Sequence, residues 1–304
     1  MRVCVVGAGS IGSLFAAHLA TVTDVLVLTR RAEHAQALNE QGLKVSGRHD
    51  FNARVTAAAD PRDLPDFDLG IVATKANAVE EAADALSGGF PGATIMTVQN
   101  GLGAEEIVRA RGEWPLISGV TFMSGTKHSD THVEYILDTP TWIGPYGETP
   151  FERVQEVAAL LADAGLKAEA LPDLLPAQWS KLIFNATVNG VAALTGLPHD
   201  EHFAAEGDAG DLGHLVHQLV DEGKAVAAAA GVELHDDPWE MNVLATQRGS
   251  AHYPSMLEDV EAHRPTEVEL INGALVRAAA EHGVDAPLQT AVYRLVKAKE
   301  ASYS

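Results

Sequence analysis

The sequence predicts an α/β protein in two parts, a doubly wound parallel sheet followed by an all-helical domain. Three observations carry that expectation. Apolar, β-branched runs alternate with helical stretches as far as residue 170, the order of strands joined by crossover helices. A glycine-rich turn, Gly7-Ala8-Gly9-Ser10-Ile11-Gly12, stands directly after the first run. Beyond Pro176 the strand pattern stops and helical periodicity replaces it. A length of 304 residues suits two domains at about 150 residues each. The stretch Leu171-Pro172-Asp173-Leu174-Leu175-Pro176, with prolines at both 172 and 176, marks the boundary, giving domains over 1–172 and 173–304.

Residues 2–6 form the first strand, and Leu14, Phe15, Ala16, His18, Leu19 and Ala20 give the following segment a helical composition. Strand, glycine turn and helix are what a dinucleotide site requires. Gly7 permits the tight turn, Gly9 lets a pyrophosphate approach the backbone, and Gly12 lets the helix pack on the strand. The amides of Ala8, Ser10 and Ile11 lie where the helix N-terminus meets phosphate. A second strand, 25–28, ends at Thr29-Arg30-Arg31, where an NAD site would place Asp or Glu for the ribose 2′-hydroxyl. Two guanidiniums suit a 2′-phosphate, so NADP (NADPH) is the expected cofactor. The other reading of Arg30 and Arg31 is a solvated opening to the helix at 32–38.

Residues 43–46 and 51–55 flank Gly47-Arg48-His49-Asp50 as a hairpin. A buried strand over 69–73 ends at Thr74-Lys75, a helix covers 78–86, and a strand over 94–98 ends at Gln99-Asn100-Gly101-Leu102-Gly103. Ligands collect beyond the carboxyl ends of strands in such sheets, which is where Lys75 and Asn100 fall. Taken locally, Lys75 also fits a solvated lysine and Asn100 an Asn-Gly turn. Strands are expected over 116–122, 132–136 and 141–143, then a helix over 151–164 and a strand over 167–170.

In the helical half, the segment 178–194 carries Lys181, Asn185 and Asn189 at steps of four. At about 100° per residue they fall within roughly 80° of one another. The stripe is either the helix's wet face or a buried polar group needing partners or a ligand. It lacks the Glu, Asp and additional Lys that usually occupy a wet face. Residues 199–217 hold His199, His202, His214 and His217 among acids, but without the two-histidine helical spacing of metal hydrolases, so no metal is expected. A helix over 215–230 should end at Gly231. Ser255 with Glu258, and Thr266 with Glu269, each match a capping box, which would put Glu267 in a helix's first turn.

Composition excludes other classes. Asp and Glu number 42 against 21 Lys and Arg, and the net charge of −21 repels nucleic acid and anionic membrane. The single cysteine, Cys4, lies in an apolar run, as expected of a buried thiol in a reducing compartment. No apolar stretch reaches membrane-span length, and the first residues read as a strand rather than a signal peptide. A soluble, cytoplasmic protein is expected. A homodimer is compatible with the sequence.

Taken together, the glycine turn, the arginine after the second strand, Lys75, Gln-Asn-Gly-Leu-Gly at 99–103, and Trp179-Ser180-Lys181 with Asn185 and Asn189 form one ordered set. It continues with Pro254-Ser255-Met256-Leu257, Arg264-Pro265-Thr266-Glu267 and Asn272-Gly273. Over essentially its whole length the chain resembles ketopantoate reductase, also called 2-dehydropantoate 2-reductase. The resemblance implies an N-terminal NADP-binding Rossmann domain, an all-helical C-terminal domain of the 6-phosphogluconate dehydrogenase-like type, and a small 2-oxo acid substrate held in the cleft between them. It also implies that Lys181 is the general acid, with Glu267 bonding the nascent hydroxyl and orienting the lysine. Asn185, Asn189 and Ser255 would hold the substrate, Asn100 would contact substrate or nicotinamide ribose, and Lys75 would sit by the cofactor. His252-Tyr253 precedes Pro254 where some members carry asparagine.

Hydride attack on a ketone builds negative charge on its oxygen, and a lysine can answer with both charge and proton. Desolvation would lower the lysine's pKa and Glu267 would raise it. Three other readings compete. A relative reducing another 2-oxo acid or an imine would use the same machinery, a non-catalytic NADP-binding redox sensor would not need Lys181 and Glu267, and a polyol phosphate dehydrogenase would need a basic cluster that the stripe lacks.

Overall fold

Residues 1–205, 210–247 and 253–303 are described by a computed structural model. The chain divides into two units, 1–99 with 104–174, and 100–103 with 175–304.

The first unit runs β1 (Val3–Val6), α1 (Ser10–Leu19), β2 (Val25–Leu28), α2 (Ala32–Gln41), β3 (Leu43–Gly47), β4 (Phe51–Ala53), β5 (Thr56–Ala58) and β6 (Leu69–Val72). It continues with α3 (Val79–Leu86), β7 (Thr94–Thr97), α4 (Ala104–Arg109), β8 (Leu116–Thr121), β9 (Ser124–Ser129), β10 (His132–Leu137), β11 (Thr141–Tyr146), α5 (Phe151–Asp163) and β12 (Ala168–Ala170). An eight-stranded sheet has the order β12-β11-β8-β7-β6-β1-β2-β5. Its strands from β5 to β8 are parallel, and β11 turns antiparallel against β8. The order reverses at β1, which pairs with β2 on one side and β6 on the other. Ligands gather beyond the strand ends at such a switch point.

The hairpin predicted at 43–55 and the strand predicted at 132–136 leave this sheet. With β9, which the sequence reading missed, they build a second sheet of four strands, β4-β3-β10-β9. Helix α1 packs against β1 and β2 on one side and β3, β9 and β10 on the other. That explains why residues 12–19 are all buried, with no wet face. Its His18 is 2% exposed, with Nδ1 2.9 Å from the Leu14 carbonyl and Nε2 2.8 Å from His49 Nδ1. Cys4 is fully buried in β1, and burial pushes its thiol up to about 12.

The second unit holds α6 (Leu175–Thr195), α7 (Asp211–Ala229), α8 (Pro238–Thr246), α9 (Ser255–Glu261), α10 (Asn272–Glu281) and α11 (Pro287–Ala301). Pro176, assigned to the boundary from sequence, lies inside the first turn of α6. Its missing N–H has no intrahelical partner to lose there. Helix α6 packs against α7, α8, α9, α10 and α11, so little of its surface is left for water. Asn272, fully buried, ties α10 to α6 by donating to the Ala186 carbonyl at 2.7 Å.

Neither predicted capping box forms. Pro254 is the N-cap of α9, and Ser255 is its first residue. Thr266 instead gives both its N–H and its hydroxyl to Glu300 Oε1, each at 2.7 Å, while its hydroxyl oxygen accepts from Val268 N–H at 3.1 Å. Helix α10 therefore starts only at Asn272, and Glu267 sits in the turn before it rather than in its first turn.

Candidate active site

In the first unit the glycine turn caps the carboxyl end of β1. Gly7 holds φ +99°, and its N–H donates to the Leu28 carbonyl of β2 at 2.9 Å. A Cβ at Gly12 would lie 1.9 Å from the Gly7 carbonyl oxygen, so only glycine allows the helix this close to the turn. Gly9 differs, because a Cβ there would meet no protein atom within 4 Å. Internal packing does not demand glycine at that position, whereas a phosphate lying on the backbone would. Gly9 is the N-cap of α1 without a side-chain cap, and the first turn through Ser10 and Ile11 carries no acid. Its amides therefore face outward into a positive helix end. Ser13 Oγ, Thr74 Oγ1 and Gln99 Oε1 are buried there without hydrogen-bond partners. The residues present fit a dinucleotide's pyrophosphate.

Lys75 is exposed just beyond β6. The chain there is held by Gln99, whose Nε2 donates to the carbonyls of Val72 at 2.8 Å and Thr74 at 2.9 Å. Nothing in the sequence marks Gln99 for this role. The two arginines after β2 part company. Arg30 is largely exposed, with a 3.8 Å ion pair to Glu81, whereas Arg31 Nη2 donates to both oxygens of Asp130 at 2.6 and 2.7 Å. Arg31 is thus occupied within the protein, and Arg30 is the arginine open to a ligand.

The second unit settles the character of the polar stripe. Lys181, Asn185 and Asn189 are 8%, 7% and 6% exposed, so they are not a wet face. Asn189 is 6% exposed and has no side-chain hydrogen bond to any described residue, and its polar atoms are not sealed from solvent, so its amide is open to water or a ligand. Asn185 Nδ2 donates to Asn100 Oδ1 at 3.4 Å, and Asn100 Nδ2 donates to Glu267 Oε2 at 2.9 Å.

The approach of Asn100 depends on its neighbour. Gly101 has φ +95°, its ideal Cβ would fall 1.8 Å from the Leu270 carbonyl oxygen, and Leu102 N–H donates to that same oxygen at 2.9 Å. The loop at 100–103 therefore forms the Asn-Gly turn and is seated on the turn that carries Glu267. Burial pulls the Lys181 ammonium down to about 8, against the opposing effect of Glu267. A lysine poised there can hold or give up a proton near neutrality.

Ser255 is exposed at the start of α9, which packs on α6, and has no side-chain hydrogen bond among the described residues. His252 lies outside the described residues, as do residues 206–209 of the histidine-rich segment. Within that segment His199 is 1% exposed and structural, its Nε2 2.8 Å from Asn242 Oδ1 and its ring against Phe184 and Phe203. Among the described residues no cluster of three or more His, Cys, Asp or Glu could hold a metal, and no helix is long and apolar enough to cross a membrane.

Comparison with known proteins agrees over the full chain. The family model described as ketopantoate reductase PanE/ApbA matches residues 3–148, and that of the family's C-terminal domain matches residues 173–300. A 2-dehydropantoate 2-reductase of Pyrococcus abyssi is 30% identical over 303 residues, covering 99% of this chain and 98% of the relative. Among solved structures, 2-dehydropantoate 2-reductase from Methylococcus capsulatus superposes with a TM-score of 0.86 at 28% identity, covering 100% of this chain and 98% of the other. The ternary structure of D-mandelate dehydrogenase with NADH and anilino(oxo)acetate gives a TM-score of 0.90 at 25% identity, covering 100% and 99%.

These comparisons place the chain among the dinucleotide-dependent oxidoreductases. Within that class, the chain belongs to the ketopantoate reductase family.

Proposed function

We propose that this chain reduces 2-dehydropantoate (ketopantoate) to pantoate with NADPH, a step of pantothenate and coenzyme A synthesis in the cytoplasm. The observation that carries the reading is the buried stripe on α6, where a desolvated lysine and two amides share one face beside Glu267. The dinucleotide, when bound, supplies the hydride. Gly7 to Gly12 would hold its pyrophosphate, Arg30 its 2′-phosphate and Lys75 its neighbourhood at the end of β6.

Lys181 gives its proton to the oxygen of the 2-oxo group as negative charge gathers there, so its effect falls on the transition state. Glu267, with Asn100 bonded to it, orients the ammonium and accepts from the new hydroxyl. Asn185, Asn189 and Ser255 hold the substrate's carboxylate and hydroxyl oxygens, and Asn189 brings an amide with no other partner. A second reading is favoured by the likeness to D-mandelate dehydrogenase, a structure holding NADH and an oxo acid. It is reduction of a different 2-oxo acid with the same residues.

The test is steady-state oxidation of NADPH and of NADH across a panel of 2-oxo acids, followed by absorbance. The proposal expects the highest kcat/KM with ketopantoate and NADPH. A higher kcat/KM with an aryl or straight-chain 2-oxo acid selects the second reading, and no turnover with any of them removes both.

A further inference from the structure

Asp130 stands in the turn between β9 and β10, far along the chain from β2, yet the second sheet delivers it to the start of α2. Parallel pairing of β10 with β3 sets that position, and three basic groups surround it. Arg31 Nη2 donates to both its oxygens, Lys127 Nζ lies 3.6 Å from Oδ1, and His34 Nδ1 lies 3.8 Å from Oδ1. His34 Nε2 is 2.9 Å from the Asp130 backbone carbonyl. Lys127 in turn donates to the Ala8 carbonyl of the glycine turn at 2.6 Å, so the cluster is joined to the pyrophosphate site. Burial alone would raise the Asp130 carboxyl, but the Arg31 hydrogen bond and the charges of His34 and Lys127 hold it below the usual carboxylate range. Burial and the Lys127 ammonium lower His34.

An NAD site carries a carboxylate after the second strand, and an NADP site carries unpaired cations there. This chain has Thr29-Arg30-Arg31 in sequence, but the fold adds the carboxylate from another sheet and ties up one of the two guanidiniums with it. We propose that Asp130 is a cofactor-selectivity residue, which by engaging Arg31 weakens discrimination for the 2′-phosphate and admits NADH beside NADPH. The proposal rests on the dinucleotide reading above.

Dissociation constants of NADPH and NADH, from the fluorescence of the reduced nicotinamide, test it on the full chain. The proteins are wild type, Arg30→Ala, Asp130→Asn, and Asp130→Asn with Arg31→Ala. Asp130→Asn should tighten NADPH about tenfold, the effect of one charge-assisted contact, with no gain for NADH. Adding Arg31→Ala should abolish that gain. Equal change for both cofactors, or a gain that survives Arg31→Ala, overturns the proposal. If Arg30→Ala weakens both cofactors alike, the role given to Arg30 fails while the Asp130 comparison still decides its own case. Failure of wild type to bind either cofactor overturns both readings.

Discussion

Lys181 is held in a state that water would not impose, and two measurable consequences follow. As the proposed general acid it must be protonated, so kcat/KM should fall as pH rises through about 8, the value to which burial brings it. Lys181→Met should lose about a hundredfold to ten-thousandfold in kcat, with NADPH affinity measured by fluorescence unchanged. Lys181→Arg should restore little, because a guanidinium does not release its proton.

The same shift bears on stability. The folded-state pKa lies below the unfolded one, so the penalty is fully present below about 8 and is relieved as pH rises toward the unfolded value. A gap of this size is worth about 3 kcal/mol at most. Lys181→Met should therefore melt higher than wild type at neutral pH, by a margin that shrinks in alkaline buffer. Asn189→Leu replaces a mostly buried amide that no described residue bonds with an apolar side chain. Its melting temperature should hold or rise while the KM for the 2-oxo acid increases, and a KM equal to wild type would remove Asn189 from the substrate site. The four-residue spacing of the stripe was visible in the sequence. Its lack of acids and further lysines already spoke against a wet face, and the low exposure of all three residues agrees.

At the level of elements, runs of β-branched residues located β1, β2, β6, β7 and β8 closely, since strands buried on both faces are nearly continuous apolar stretches. Strand β9, Ser-Gly-Thr-Lys-His-Ser, escaped the reading because it has no such run and is only partly buried. Its pairing with β10 makes it a strand, and sequence alone does not display that pairing. The capping box at Thr266 failed for a related reason. Thr266 has a better partner in Glu300 on α11, a tertiary bond that overrides the local motif. The turn it anchors also receives Gly101, which gives a test of how the site is assembled. Gly101→Ala must move either the loop or the Leu270 carbonyl, and it strains φ as well. We expect a loss of melting temperature together with a drop in kcat larger than that of Asn100→Ala. Wild-type kcat in Gly101→Ala would show that the contact with the Glu267 turn is dispensable.

For the whole molecule, the two units have separate buried cores, one around α1 and its two sheets and one around α6. Calorimetric unfolding of the full chain should then give a calorimetric enthalpy above the van't Hoff value. NADPH at a hundred times its Kd should stabilise the transition of the first unit by about 2.7 kcal/mol. A single two-state transition, shifted as one by NADPH, would contradict this.

The division between units also has a consequence for synthesis. Residues 100–103 are made between two strands of the first unit, but their partner at Leu270 belongs to the second unit. At about 5–20 residues per second the ribosome takes on the order of ten to thirty seconds to reach it. During that interval the first sheet can form while Asn100 still lacks Glu267. Pulsed proteolysis of stalled nascent chains should cut at 100–103 until the segment around Leu270 has emerged, and protection before then would mean the loop folds without it. The last part of the site to assemble would thus be the contact between a loop translated early and a turn translated near the end.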